Sequence, residues 1–426
     1  MNTSKYLLTL LLFIVIGIFI GSIFLKFNQS NVNTDLISHT VTLTSGEHMQ
    51  ISHTTSGDSS ITHPEEEISE NKPNPEHIKA VYLTGWTTGS KSKRENIIRD
   101  LNNYGFNAVV IDIKDEAGNV TYNSNVQTAI DISASSKMIT DIQEAINDFH
   151  NSNIYVIGRI VTFKDPIYAK NMQEHAYKTA DNSLWKDYSG NNWPNPYDTT
   201  SWDYPIALAK EAASYGLDEI QFDYIRFPSS EGKTKNISFG FDSDIKSKSE
   251  VINGFLSKAM AELKDFDIIV SADVFGITTK KRGDFEHIGQ DFYEISKIVD
   301  VVCPMVYPSH YGPGEYGIVA PDKEPYKIIY GSLKDAQNQF LNESGDSNFA
   351  IIRPYLQDFT ASWLKKGNYI NYGTSAVTAQ LQACYDLNIH DFTLWDPSNK
   401  YAYESLNNIV AKVSGDIMSS GDTSNT

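Results

Sequence analysis

Apolar residues recur along this chain in two alternating rhythms. Short β-branched runs fall at 80–85, 108–113, 154–161, 219–227, 268–275, 299–307, 351–356 and 392–395. Between most of them lie stretches such as KRENIIRDLNNYG, MITDIQEAINDFHNS, IALAKEAASYG, EVINGFLSKAMAELKDF and AVTAQLQACYDLN. Their apolar positions return every three or four residues, the period of an amphipathic helix. Strands that alternate with helices require parallel pairing with crossover connections. Eight such units predict an α/β fold, a (β/α)8 TIM barrel over 77–414, rather than an open doubly wound sheet. No G-x-G-x-x-G or Walker-type loop follows any run, which weighs further against a nucleotide-binding sheet.

The alternation stops at both ends. Positions 6–25, YLLTLLLFIVIGIFIGSIFL, carry no charge and match the roughly 20 residues needed to cross a bilayer. No A-x-A cleavage pattern follows, so 1–27 reads as an uncleaved signal-anchor, a single-pass transmembrane helix with the remaining chain extracellular at the cell membrane. Positions 28–76 are rich in Ser, Thr, His, Asn and Glu and poor in large apolar residues, the composition of a disordered polar linker. His39, His48, His53 and His63 are irregularly spaced within it, which suits a solvated linker better than a metal site. Positions 415–426, GDIMSSGDTSNT, read as a flexible tail.

Composition narrows the partners. The 426 residues carry a net charge of −18 and 40% hydrophobic content, enough for one large core. The acidic balance and the lack of a Lys/Arg cluster argue against nucleic acid and favour a neutral or cationic ligand. Cys303 and Cys384 are too few for a disulfide framework, and Cys303 lies in an apolar run as a small buried thiol. No motif implies a cofactor or a metal.

The candidate chemistry sits at the carboxyl ends of the strands. In GLDEIQFDYIRFPSS, alternation of side chains puts Ile220, Phe222 and Tyr224 toward the helices, and Gln221 and Asp223 into the barrel. In DIIVSADVFG the same parity turns Ser271 and Asp273 inward. Barrel enzymes assemble their sites at this end. Two acids on neighbouring strands, about 4.8 Å apart, approach the separation of a retaining glycosidase pair, one as nucleophile and the other as acid/base. A carboxylate tied to Arg226 or Arg159 for structure alone is the alternative reading.

Other strand ends supply polar groups for ligand contact. IDIKDEAG offers Asp112 and Lys114, GRIVTFKD offers Arg159, and RFP offers Arg226. CPMVYPSHY contributes Tyr307 and His310, IIRPYLQDF contributes Arg353, and FTLWDPS contributes Trp395 and Asp396. The connection at 162–201 holds Trp193 among several Tyr and Trp residues and almost no aliphatics, which predicts exposed rings for stacking on sugar faces. A self-packed lid is the competing reading of that loop.

The segments VYLTGW, NAVVIDIKDEAG, GRIVTFKDP, WPNPYD, DEIQFDYIRFP, SADVFG and CPMVYPSHY, in this order, resemble the glycoside hydrolase family catalogued as domain of unknown function 4015. That family is similar to other extracellular TIM-barrel glycosidases. The resemblance covers 78–414 and implies hydrolysis of a polysaccharide or cell-wall glycan, with Asp223 and Asp273 as the family's acids. Chitinase-like barrels share the M-x-Y of strand six, here Met305 and Tyr307, but their D-x-x-D-x-D-x-E signature is absent from strand four. Two other readings stay open: a surface barrel that binds polysaccharide without cleaving it, and metal-assisted hydrolysis through Asp112, Asp223 and Asp273.

Overall fold

Eight parallel strands form where the β-branched runs predict them. They are β1 Lys79–Leu83, β2 Ala108–Lys114, β3 Tyr155–Val161, β4 Glu219–Asp223, β5 Ile269–Phe275 and β6 Val301–Met305, then β7 in two pieces, Ile351–Ile352 and Tyr355–Gln357, and β8 Phe392–Trp395. Each pairs with the next in sequence, and β8 returns to β1 through Phe392 opposite Lys79, so the sheet closes into a cylinder. The computed structural model describes residues 72–229, 237–240, 244–280, 285–341 and 348–421. The expected anchor at 1–27 and the linker up to 71 lie outside the described residues. No helix among the described residues is long and apolar enough to cross a membrane.

The amphipathic stretches wrap the cylinder as α1 Lys91–Tyr104, α2 Ile142–His150, α3 Asp203–Ser214, α4 Lys248–Leu263, the short α5 Phe292–Ile295, α6 Pro325–Leu341, α7 Thr374–Asp386 and α8 Glu404–Gly421. Local signals fix their ends. Ser247 and Glu250 form a reciprocal capping box at the start of α4, and Gly105, at φ 79°, ends α1 in the left-handed conformation. α8 runs past 414, where the tail was expected to begin, so the helical body extends to Gly421.

The main core lies between strands and helices. Val109, Ile111, Val156, Ile160, Ile220, Phe222, Val270 and Val274 face outward into it. Phe222, fully buried, meets Phe255 of α4 edge-on at 5.2 Å, and burying a ring of this size contributes about 1.5–3 kcal/mol. Because side chains alternate, the same strands send Gln221, Asp223, Ser271 and Asp273 into the barrel.

Two departures from regular geometry shape the mouth. The sequence pattern extends strand four to 227, yet β4 ends at Asp223 because Tyr224 adopts φ 51°. A left-handed bulky residue breaks the pleat, so Tyr224 leaves the expected alternation and turns to the rim. In β7, Val302 pairs with Ile352 and Met305 with Tyr355, which sets Pro304 level with Pro354. Neither proline has an N–H to donate, and the ladder is interrupted there. Above the barrel, Lys178–Thr179 pairs antiparallel with Ile237–Ser238, joining the loop after β3 to the loop after β4.

Candidate active site

The barrel interior is polar in layers, from the amino-terminal floor to the carboxyl-terminal mouth. At the floor, Glu219 accepts two hydrogen bonds from the Arg353 guanidinium, one of 2.9 Å from Nη1, and another from the Ser271 hydroxyl. One step up, Gln221 Nε2 donates to Cys303 Sγ at 3.4 Å while its Oε1 accepts from the Tyr355 hydroxyl. At the mouth, Arg159 holds three acids at once. Its Nη1 donates to Asp112 Oδ1 at 2.7 Å, its Nη2 to Glu116 Oε1 at 2.5 Å, and its Nε and Nη2 to Asp223 Oδ2 at 3.0 and 2.7 Å. Strand geometry explains the convergence, since Arg159 is in register with Asp112 on one side and Gln221 on the other.

Asp223 and Asp273 end up in unlike surroundings. Asp223 is ion-paired to Arg159 and also accepts the Tyr224 backbone N–H at 2.5 Å, an interaction made possible by the left-handed turn. Asp273 lies one register step beyond the Phe222–Ala272 pair, on the adjacent strand. It is 1% exposed, and its Oδ1 has no hydrogen-bond partner. Burial drives its carboxyl well above the usual range, and the charges of Asp223 and Glu219 add to the effect against Arg159 and Arg353. Asp112, which also accepts from the Tyr82 hydroxyl at 2.5 Å, is pushed up to about 7 by burial, with the Glu116 charge raising and Arg159 opposing. For Glu116, burial pushes upward, but Arg159 and Lys164 together hold it below the ordinary value.

Several expected ligand groups lie at the mouth. Tyr307 is buried there, with its phenol raised by burial and by the charges of Asp273 and Asp223. His310 packs 5.2 Å from the Tyr307 ring, and burial lowers it to about 4. Trp395 is half-buried, stacked on Tyr82 at 3.8 Å, with the Arg159 guanidinium 5.2 Å over its ring. Arg226 is enclosed by the rings of Trp193, Tyr224 and Phe275.

Four of the expected ligand groups sit elsewhere than the strand pattern places them or are held by neighbouring groups. A register slip between Asp112 and Lys114 turns Lys114 out of the barrel, where it bonds Asp165 at 2.5 Å beneath the loop. Arg353 lies at the floor with Glu219, four residues and about 13 Å of strand below Asp223. Asp396 is taken up by a turn, accepting from Ser398 N and Oγ and from Lys400 N. Trp193 is 3% exposed and donates its Nε1 to Asp187, and Tyr168, Tyr177, Trp185 and Tyr197 around it are buried too. The loop after β3 is therefore a self-packed lid, because rings of this size gain more from one another than from water.

Other rings stand on the connections that follow strand ends. Trp86 follows β1 and is 60% exposed, while half-buried Phe359 and Trp363 stack at 5.7 Å beside Tyr307. Sequence reasoning missed Trp86 and Glu116 as site residues although VYLTGW and IDIKDEAG contain them; only their place after a strand end signalled them. Among the described residues no group of three or more His, Cys, Asp or Glu could hold a metal ion. Asp112 and Asp223 each face Arg159 and do not close into a ligand cluster with Asp273.

The chain folds as a closed (β/α)8 cylinder that carries two carboxyl groups at adjacent strand ends on its carboxyl-terminal face. The chain belongs to the family described as "Putative glycosyl hydrolase domain", whose model matches residues 80–401. Among solved structures it is similar to the PgaB (BpsB) glycoside hydrolase domain from Bordetella bronchiseptica, at 10% identity and TM-score 0.54 over 78% of this chain and 98% of that one. It is also similar to a beta-galactosidase from the psychrophilic Marinomonas ef1, at 10% identity and TM-score 0.50 over 80% of this chain and 60% of that one. At these identities the likeness is one of fold. A hypothetical protein from Ruminiclostridium thermocellum ATCC 27405 is 41% identical over 46% of this chain and 97% of its own, with a TM-score of 0.42. No curated protein matches the chain.

Proposed function

We propose that the protein cleaves a polysaccharide at the cell surface by a retaining mechanism, with Asp223 as nucleophile and Asp273 as acid/base. The observation that carries this reading is the unequal environment of the two acids. Asp223 is held at the mouth by its ion pair to Arg159 and by the Tyr224 backbone N–H, oriented to attack the anomeric carbon, whereas burial favours a proton on Asp273. In the first step a carboxylate oxygen of Asp223 bonds to the anomeric carbon as the glycosidic bond breaks, and the departing oxygen takes the Asp273 proton. In the second, Asp273 removes a proton from water, whose oxygen displaces Asp223 and regenerates both groups.

The near-complete burial of both acids favours a second reading, a barrel that binds glycan and leaves it intact. Asp223→Asn and Asp273→Asn, assayed separately on a panel of wall, capsule and plant glycans, decide between them. Turnover by the parent protein, lost in both variants with binding kept, supports the hydrolase; no turnover by the parent on any glycan supports the binding barrel. The anomer released first, followed by proton NMR, tests the nucleophile, since an inverted product removes that role from Asp223. The apolar segment at 6–25 and the polar stretch after it support placement on a stalk outside the membrane.

A further inference from the structure

Lys164, Arg226 and Phe275 come from three successive strand ends, after β3, after β4 and at the close of β5. The Lys164 ammonium lies 4.9 Å and the Arg226 guanidinium 4.8 Å from the centre of the same Tyr224 ring. Arg226 is 8% exposed, and its hydrogen bond of 3.1 Å to the Phe227 carbonyl does not neutralise it. Neither cation has a carboxylate within ion-pairing distance among the described residues, and each lies close enough to feel the other. Glu116 acts on Lys164 through space, but the acids in the neighbourhood make their hydrogen bonds elsewhere. Asp223 and Glu116 bind Arg159, and Asp187 accepts from Trp193 Nε1 and from the turn at Ser189 and Asn191. Aromatic faces stabilise cations only modestly, so two like charges gathered here, one of them buried, present an unfilled demand for an anion.

We infer that Lys164 and Arg226 form a subsite for an acidic substituent, a carboxylate or phosphate, on the glycan. The inference rests on the hydrolase reading for its placement beside Asp223. It reverses the preference for neutral or cationic ligands drawn from the net charge of −18. Contact energies are set within a Debye length of roughly 8 Å at physiological salt, so a local cation pair outweighs the distant surface charge in affinity. The surface charge instead slows encounter at low salt.

The test uses the full-length chain and calorimetric titration with three probes: uronic-acid-containing oligosaccharides, the same oligomers with each carboxyl reduced to an alcohol, and phosphate-bearing wall oligomers. The acidic probes bind roughly tenfold tighter than the reduced one, and the better acidic arm identifies the substituent. Lys164→Gln, a half-buried position, and Arg226→Gln each shrink that ratio toward one. Equal affinity for acidic and reduced probes overturns the subsite, as does a preference that both variants keep. Failure of the hydrolase reading shows separately: a charge preference dependent on Lys164 without bond cleavage leaves the subsite in place, and cleavage of neutral glycans without charge preference removes only the subsite.

Discussion

Replacing Asp273 by Asn swaps a carboxyl group that holds its proton for an amide of the same shape. An unfolded chain ionises this aspartate near pH 3.9, whereas burial and the Asp223 charge raise its folded value well above that. Between those limits the folded state binds more protons than the unfolded state. Its contribution to stability is then complete below the unfolded value and is lost as pH rises toward the folded one, at about 1.4 kcal/mol per pH unit. The Asn variant carries no such term. Its Oδ1 also sacrifices nothing, since the corresponding carboxyl oxygen has no donor. The variant and the parent should be equally stable near pH 4, and the variant should gain about 1.4 kcal/mol on the parent for each pH unit above it. Urea denaturation at pH 4.5, 5.5 and 6.5 measures the difference. Asp223→Asn provides the contrast, because it strips Arg159 of a partner and destabilises at every pH in this range by about 1.5–3 kcal/mol. A pH-independent difference for Asp273→Asn, or a loss of stability throughout, would refute the argument that burial keeps this acid protonated. If the prediction holds, the residue proposed as acid/base is one that weakens the fold at neutral pH, the expected exchange between stability and activity.

At the barrel floor, Arg353→Met abandons the buried Glu219 carboxylate and should destabilise by about 3–5 kcal/mol in urea melts, whereas adding Glu219→Gln should restore most of the loss. If both proteins unfold at the parent midpoint, the ion pair is not structural. Trp86→Ala touches an exposed ring and should leave stability within about 0.5 kcal/mol, while affinity for an oligosaccharide substrate falls roughly two- to tenfold. Calorimetric titration showing unchanged affinity would take Trp86 out of the rim.

The fold was legible because a parallel strand buried on both faces leaves an apolar run, and the helices around it repeat at a different period. Asp223 and Asp273 were placed correctly inward by the same parity. Lys114 was not, because a register slip between strands leaves no mark in the residues themselves. Arg353 looked like a rim residue, yet the break in β7 sets it level with Cys303 and it reaches Glu219 at the floor. The aromatic loop failed for a different reason: rings among Asn and Asp suit a sugar platform or a self-packed lid equally well, and only contacts such as Tyr197 with Phe227 at 5.1 Å separate the two. Arg159 was expected as one ligand contact among many, but its three carboxylate partners come from two strand ends and a loop whose convergence no local pattern announces.

The facing prolines of β6 and β7 thin the cylinder at one joint, bridged on either side by the main-chain bonds from Arg353 N to Val302 O at 3.0 Å and from Val306 N to Tyr355 O at 3.2 Å. Breathing of the wall should therefore begin between Val302 and Tyr355, on the flank that carries Tyr307. In deuterium-labelling time courses the amides bordering this joint should exchange ahead of those in β2 and β3, making it the hinge line along which the mouth widens for a bulky chain.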